Sequence, residues 1–145
     1  MKNYTIAEIR YLIERFENQK LPKSEWTHEA HLVVAIWYST QSDLCTALEQ
    51  VRNYITAHNT SVGTPNTDHE GYHETITKFW LWIAQGFIRN NTAANMEKLV
   101  NDFINSPDGV SNYPLSFYSE SLLFSVHARH FWVEPDLKEL PEIDL

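Results

Sequence analysis

The sequence predicts an all-α protein, a helical bundle of about five main helices with a short helical and extended C-terminal segment. Two observations lead to this class. In five long stretches the apolar residues recur with a helical period, and a capping residue such as Thr5 or Asn95 precedes them. Nowhere does an alternation of apolar and polar residues continue long enough to indicate a strand.

The first two helices follow from their caps. Thr5 opens a capping box, and the helical period then runs from residue 6 to about residue 18. Either Ser24 or Thr27 caps a second helix, which continues to about residue 39. Because apolar residues lie almost all round its axis, we expect this helix to be central and buried.

A third helix is capped by Ser42 and keeps its apolar period to about residue 58. The next segment, residues 59–71, is rich in turn-forming residues and is longer than a plain connector. Loops of this kind often carry functional residues, so this segment is a candidate part of a site.

A fourth helix is predicted from residue 72 to about residue 89. Thr92 or Asn95 then opens a fifth helix, which ends before Pro107. The last third of the chain is predicted to hold only short elements: helical segments over residues 119–124 and 125–130, and an extended tail with two prolines over residues 133–141.

Composition limits the kind of protein. The chain has 145 residues, of which 43% are hydrophobic, so we expect a single helical domain over residues 1–145. Its formal net charge is −8 and it has no Lys/Arg cluster, so a nucleic-acid partner is not expected. No apolar run approaches the roughly 18 residues of a membrane span, so we expect a cytoplasmic protein without membrane contact. The single Cys45 excludes a multi-cysteine zinc site.

Two histidines, His28 and His31, stand three residues apart at the start of the second helix, so their rings point to nearly the same side. His73 lies in the first turn of the fourth helix. If helices two, three and four are antiparallel neighbours, the starts of helices two and four lie at one end of the bundle. We therefore expect these three histidines to meet there, under the loop of residues 59–71 and close to residues 107–118.

Such a cluster suits a metal ion. Three histidines with an open fourth position are a usual arrangement for catalytic zinc, and additional carboxylates suit iron, nickel or manganese. We therefore take His28, His31 and His73 as metal ligands, with Glu74 or Glu29 as a general base acting on metal-bound water. Without a metal, the same site could bind a carboxylate or a phosphate, because helix N-termini attract anions.

Three further residues are candidate ligand contacts. Trp26 is expected to anchor the entrance to the second helix, with stacking on a substrate as the alternative. Tyr72 stands where the fourth helix meets the loop. Arg129 could clamp an anionic substrate or, through Glu134 or Asp136, tie down the tail. The remaining histidines are expected to be solvated or to pack at the surface: His58, His69, His127 and His130.

Four motifs carry a resemblance to a known family: Trp26-Thr-His-x-Ala-His-Leu32, Gly63-Thr-Pro-Asn-Thr67, Gly71-Tyr-His-Glu-Thr-Ile-Thr77 and Trp132-Val-Glu-Pro-Asp-Leu137. With them, the chain resembles a family of small uncharacterised bacterial proteins from Trp26 to Leu137. The family has no assigned activity. The resemblance implies a bacterial protein with a site on the residues that match its motifs: Trp26, His28, His31, Tyr72, His73, Glu74 and Arg129.

A looser analogy connects the chain with the DinB/YfiT-like helical bundles, which are metal-dependent, have three histidine ligands and open a helix with Trp-Thr. Those bundles usually place a His-x-x-x-His pair late in the chain, whereas the late pair here is His127-x-x-His130. The analogy therefore implies a histidine-lined bundle and not an equivalent site.

The function that the sequence favours is a metal-dependent enzyme acting on a small molecule through His28, His31 and His73. One alternative is a metal-free module that binds a small anionic or polar ligand with the same residues. Another is a helical interaction protein without a pocket, which would instead expose an apolar patch. The substrate, the reaction and the oligomeric state stay open.

Overall fold

The computed structural model describes residues 3–91 and 95–143. Within these ranges the chain forms seven α-helices, five of them long, and no strand, so the predicted all-α class is confirmed. The helices are α1 (Ile6–Glu17), α2 (His28–Ser39), α3 (Leu44–Ser61), α4 (Glu74–Arg89), α5 (Met96–Ile104), α6 (Glu120–Leu123) and α7 (Val126–His130).

The predicted caps are mostly correct. Thr5 forms the capping box of α1, and Thr27 rather than Ser24 caps α2, because Ser24 belongs to a short 3₁₀ turn. The prediction for α3 was wrong by one residue: the side chain of Asp43, not that of Ser42, accepts the hydrogen bond from the Thr46 N–H. The carboxylate is the better partner for a helix start, since it also interacts favourably with the helix dipole.

Helices α3 and α4 differ from the predicted bounds at the ends that face each other. Helix α3 continues one turn beyond residue 58, to Ser61. Helix α4 begins at Glu74, two residues later than predicted, because His73 is its N-cap. Asn95 caps α5, while the alternative cap, Thr92, lies outside the described residues.

Helix α2 is the centre of the bundle, as its sequence predicts. It packs against α1, α3, α4 and α5, and its residues from Leu32 to Ile36 are all buried. The large side chains of Phe16, Phe79 and Phe103 fill the space between α2 and its neighbours without exposure to solvent. In the described part of the chain, no helix combines the length and the apolar character needed to cross a bilayer.

Helices α2, α3 and α4 run antiparallel in turn. Just before α2 begins, the ring of Trp26 lies 5.2 Å from that of His58, in the last turn of α3. At the opposite end, the side chain of Gln85, near the end of α4, donates a hydrogen bond to the Ser42 carbonyl between α2 and α3. The starts of α2 and α4 therefore share one end of the bundle, as expected.

The C-terminal segment is built from short helices and an extended tail. Helix α7 packs on α4. The tail then runs back across the bundle, where the Tyr118 hydroxyl donates to the Val133 carbonyl and the Leu137 N–H donates to the Phe117 carbonyl. Further on, the Trp82 indole N–H donates to the Pro141 carbonyl. At the start of α4, the Thr75 hydroxyl donates to the Phe131 carbonyl just after α7, which holds α7 beside this end of α4.

Candidate functional site

A cleft of about 460 Å³ lies at the end of the bundle where α2 and α4 begin and α3 ends. Apolar side chains, among them Ile55 and Ile76, form part of its wall. A smaller apolar cavity of about 40 Å³ adjoins it, since the same two isoleucines line both. Five of the residues that the sequence selects lie around this cleft: Trp26, His31, Tyr72, His73 and Arg129.

His31 presents one nitrogen to the cleft. Its Nδ1 lies 2.7 Å from the Thr27 carbonyl oxygen, and because a carbonyl can only accept, Nδ1 carries the proton. In the neutral ring Nε2 is then an acceptor, and no partner for it lies in the described part of the chain. Burial lowers the pKa of His31 to about 4, although the hydrogen bond to Thr27 acts in the opposite direction.

His58 is the residue that sequence reasoning missed. It was expected to be solvated, which was wrong: the ring is fully buried, and within the described residues neither Nδ1 nor Nε2 has a hydrogen-bond partner. The ring lines the cleft and contacts Trp26 and Phe16. A signal was present, because His58 follows Val51 and Ile55 at helical spacing, on the apolar face of α3.

His28 points away from the cleft. Its Nε2–H donates to the Gly109 carbonyl oxygen at 2.7 Å, and its ring lies edge-on to that of Trp80 at 5.2 Å. Residues three apart on a helix differ by roughly 60° in direction, which is enough for two rings to find different partners. The structure therefore does not bring His28 to His31, although it does bring the segment of residues 107–118 to this end.

His73 lines the cleft, but both of its nitrogens serve the fold. Nδ1 accepts the backbone N–H of Ile76 and so caps α4, while Nε2–H donates to the Leu123 carbonyl at 2.8 Å. A metal ligand needs a free nitrogen lone pair, which this ring does not have. Among the described residues, no group of three histidine, cysteine or acidic side chains stands close enough to hold a metal ion.

The two predicted bases lie elsewhere. Both carboxylate oxygens of Glu74 are paired with the guanidinium of Arg52, at 2.7 and 3.0 Å, and the Tyr72 hydroxyl donates to one of them. Burial would raise the pKa of Glu74, but these bonds outweigh burial and lower it, which makes this carboxylate a weak base. Glu29 lines a different groove, formed mainly by residues of α1 and the segment before α2.

The charge of the cleft is opposite to that of the chain. Lys23 and Arg129 both line it, and none of the described lining residues is a carboxylate, although the whole protein carries a net charge of −8. Arg129 uses only Nη1, which donates to the Gly71 carbonyl at 3.0 Å and, more weakly, to the Tyr72 carbonyl. Its Nε and Nη2 donors have no partner in the described part of the chain.

The alternative role of Arg129, a salt bridge to the tail through Glu134 or Asp136, is not formed. The carboxylate of Asp136 instead accepts from the backbone N–H and the hydroxyl of Ser119. The indole N–H of Trp132 donates to Glu134. Arg129 is therefore held by the backbone that precedes α4, with its remaining donors free for a ligand.

The loop of residues 59–71 forms one wall of the cleft. The Asn66 Oδ1 atom accepts from the Asn59 side chain and from the Tyr72 N–H. Gly71 has a φ of +85°, and a Cβ there would lie 2.2 Å from the Pro65 carbonyl oxygen. Only glycine fits this close approach, so the motif around Gly71 sets the position of the carbonyl that holds Arg129.

Trp26 anchors this end of the bundle, as expected. Its ring stacks on Phe16 at 4.9 Å and an interplanar angle of 16°, and lies 3.8 Å from the ring of His31. The indole is thus packed among the rings of Phe16, His31 and His58 and serves as a fixed wall.

No protein-family model, no curated protein and no solved structure matches this chain.

Proposed function

We propose that this protein is a small-molecule-binding module and that its cleft takes a small anionic ligand without a metal. One observation carries the proposal: a cleft that two cationic side chains, Lys23 and Arg129, line without any carboxylate from the described residues, in a chain of net charge −8. Two cations at one cleft of an acidic protein attract an anion to that position, while the rest of the surface repels it.

The residues divide the work of binding. The carbonyl of Gly71 holds the guanidinium of Arg129 in position. Its N–H donors that have no partner among the described residues can bind a carboxylate in a bidentate way. Lys23 adds a second positive charge at the cleft. Ile55 and Ile76 form an apolar wall against which the hydrocarbon part of a ligand can pack. The cleft volume of about 460 Å³ is in the range of small-ligand sites.

A titration followed by ¹H–¹⁵N NMR tests the proposal. Benzoate should shift the indole signal of Trp26 and the backbone signals of residues 71–73 in a saturable way, whereas benzylamine, with the opposite charge, should not. Lys23→Gln should weaken benzoate binding by about threefold or more, as expected for an exposed ion pair. The matched control is Lys20→Gln, which removes the same charge from an exposed position outside the cleft.

Arg129→Lys keeps the charge but loses the planar fork, so it should weaken benzoate binding. The proposal is contradicted if benzoate and benzylamine shift the same signals equally, or if Lys20→Gln weakens benzoate as much as Lys23→Gln does.

A metal-dependent enzyme stays a second proposal, and one observation favours it. His31 has the orientation common in metal sites, with Nδ1–H on a carbonyl oxygen and the Nε2 lone pair free. As described above, His28 and His73 do not fit the remaining ligand positions. Elemental analysis of untagged protein tests this proposal: stoichiometric metal that is lost in His31→Ala would support it. Absence of metal after supplementation with zinc, iron, nickel and manganese would contradict it.

A further inference from the structure

The imidazole nitrogens of His58 are buried without hydrogen-bond partners among the described residues. Its ring has no solvent exposure, and both nitrogens lack a partner among the described residues. A buried polar atom without a partner is destabilising, so native proteins rarely keep one without a use. Because burial lowers its pKa, the ring is neutral near pH 7 and has one N–H donor and one acceptor nitrogen.

His31 has a complementary requirement in the same cleft. Its Nε2 can only accept a hydrogen bond, because the proton is on Nδ1. Both imidazoles contact the ring of Trp26, at 3.8 Å for His31 and 5.2 Å for His58, and both line the cleft. A single group that donates to Nε2 of His31 and accepts the N–H of His58 would satisfy a nitrogen of each ring.

We propose that the ligand carries a hydroxyl group that donates to Nε2 of His31 and accepts the N–H of His58. A hydroxyl does both with one oxygen atom. This proposal rests on the proposed function, since the anionic end of the ligand lies at Arg129 and Lys23. His58 then determines specificity for hydroxylated ligands over their deoxy analogues.

The residues that line the cleft also indicate the chemical nature of the rest of the ligand. Besides the imidazoles, the rings of Trp26, Tyr72 and Phe124 face the cleft, and the adjoining small cavity is almost wholly apolar. Aromatic walls favour a flat aromatic body, through stacked and edge-to-face contacts. The chemical class is therefore a hydroxylated aromatic carboxylate.

The probes are benzoate and the three hydroxybenzoates, each titrated into the full chain by ¹H–¹⁵N NMR. We expect at least one hydroxybenzoate to bind about tenfold more tightly than benzoate, since two hydrogen bonds to buried groups are gained. In His58→Phe this preference should disappear while benzoate itself still binds. His31→Phe, which removes the acceptor, should abolish the preference as well. The matched control is His127→Gln, an exposed histidine outside the cleft, which should keep the preference.

The outcomes separate the two proposals. If benzoate binds and Lys23→Gln weakens it, but no hydroxybenzoate is preferred, the role of His58 is overturned and the anion site stands. A preference that survives in both His58→Phe and His31→Phe also overturns it, because the hydroxyl then has its partners elsewhere. If benzoate does not bind at all, the proposed function is contradicted, and the role of His58 that rests on it is contradicted as well. Should His58→Phe not fold, His31→Phe alone decides.

Discussion

The ring of His31 donates a hydrogen bond from Nδ1 to the carbonyl oxygen of Thr27, 2.7 Å away. Thr27 is also the N-cap of α2, since its hydroxyl accepts the backbone N–H of Ala30. The residue that starts the helix thus also selects the tautomer of His31 and leaves Nε2 as an acceptor at the cleft. A local feature of helix initiation thereby determines the chemistry that the cleft can offer.

The first prediction concerns the pH dependence of stability. The pKa of His31 is about 4 in the folded protein, against an ordinary value of 6.5, so between these values the unfolded chain binds more protons. The free energy of unfolding therefore rises with pH across this window, and the stability that the neutral ring contributes is lost as the pH falls towards 4. Burial also lowers the pKa of His58 and of His73, so both residues change the stability with pH in the same direction as His31. Urea unfolding should show a loss of about 2–3 kcal/mol between pH 7 and pH 4 from His31 alone.

The control for this prediction is His31→Phe, in which the pH dependence should be smaller by the same amount. An NMR titration of the imidazole signals checks the cause directly. A pKa of His31 near 6.5, with unchanged stability between pH 7 and pH 5, would contradict the assigned burial of the ring.

The second prediction compares two buried histidines. His58→Leu removes two polar atoms without partners, so it should raise the free energy of unfolding by about 1 kcal/mol. His73→Leu breaks the bonds to Ile76 and Leu123, so it should lower the free energy of unfolding by about 2 kcal/mol. Thermal and urea unfolding of the ligand-free variants measure both changes. Equal destabilisation by both substitutions would mean that His58 has a structural role.

The third prediction compares two glycines of the loop. Gly71→Ala places a Cβ against the Pro65 carbonyl, 2.2 Å away, at a φ of +85°. The backbone must shift, so we expect a loss of at least about 2 kcal/mol in the free energy of unfolding and a displaced Arg129. Gly63→Ala has a φ of +78° but meets no atom within 4 Å, so it should cost only about 1 kcal/mol. Urea unfolding measures both, and a similar loss in both would show that backbone conformation alone matters.

The fourth prediction concerns the Arg52–Glu74 pair beside the cleft. Arg52→Gln removes the main partner of Glu74, so the pKa of this carboxyl should rise, because burial then dominates. Arg52 is 40% exposed, so solvent screens the pair, and we expect a loss of only about 1 kcal/mol at pH 7. A carboxyl titration by ¹³C NMR and urea unfolding measure the two effects.

The control is Lys98→Gln, which breaks the exposed i,i+4 pair with Asp102. Such pairs contribute about 0.2–0.5 kcal/mol, so this change should be smaller than that of Arg52→Gln. A Glu74 pKa that does not change in Arg52→Gln would show that Tyr72 is its main partner.

Sequence reasoning was most successful where the determining interactions are local. The caps Thr5, Thr27 and Asn95 act on backbone groups within one turn, so the helices that they start could be assigned from neighbouring residues. The common end of α2 and α4 followed from helix order alone. Asp43 was missed because Ser42 beside it is an equally acceptable cap by residue type.

The site could be predicted only in part. Topology brings Trp26, His31, Tyr72 and His73 to one end, as predicted from the starts of helices two and four, whereas the sequence did not place Arg129 there. The inclusion of His58 was not predicted, although the apolar face of α3 offered a signal.

By itself, the sequence determined the helical class, the helix order and the end of the bundle where polar residues collect, because these depend on short-range periodicity and caps. For His28 and His73, in contrast to His31, only the tertiary structure decided which imidazole nitrogens have partners. The carbonyl groups of Gly109 and Leu123, which come from distant segments, accept hydrogen bonds from the ring N–H groups of His28 and His73. Each of these rings binds the acceptor that tertiary packing brings within reach. The residues next to the histidine in the sequence do not indicate which acceptor that will be.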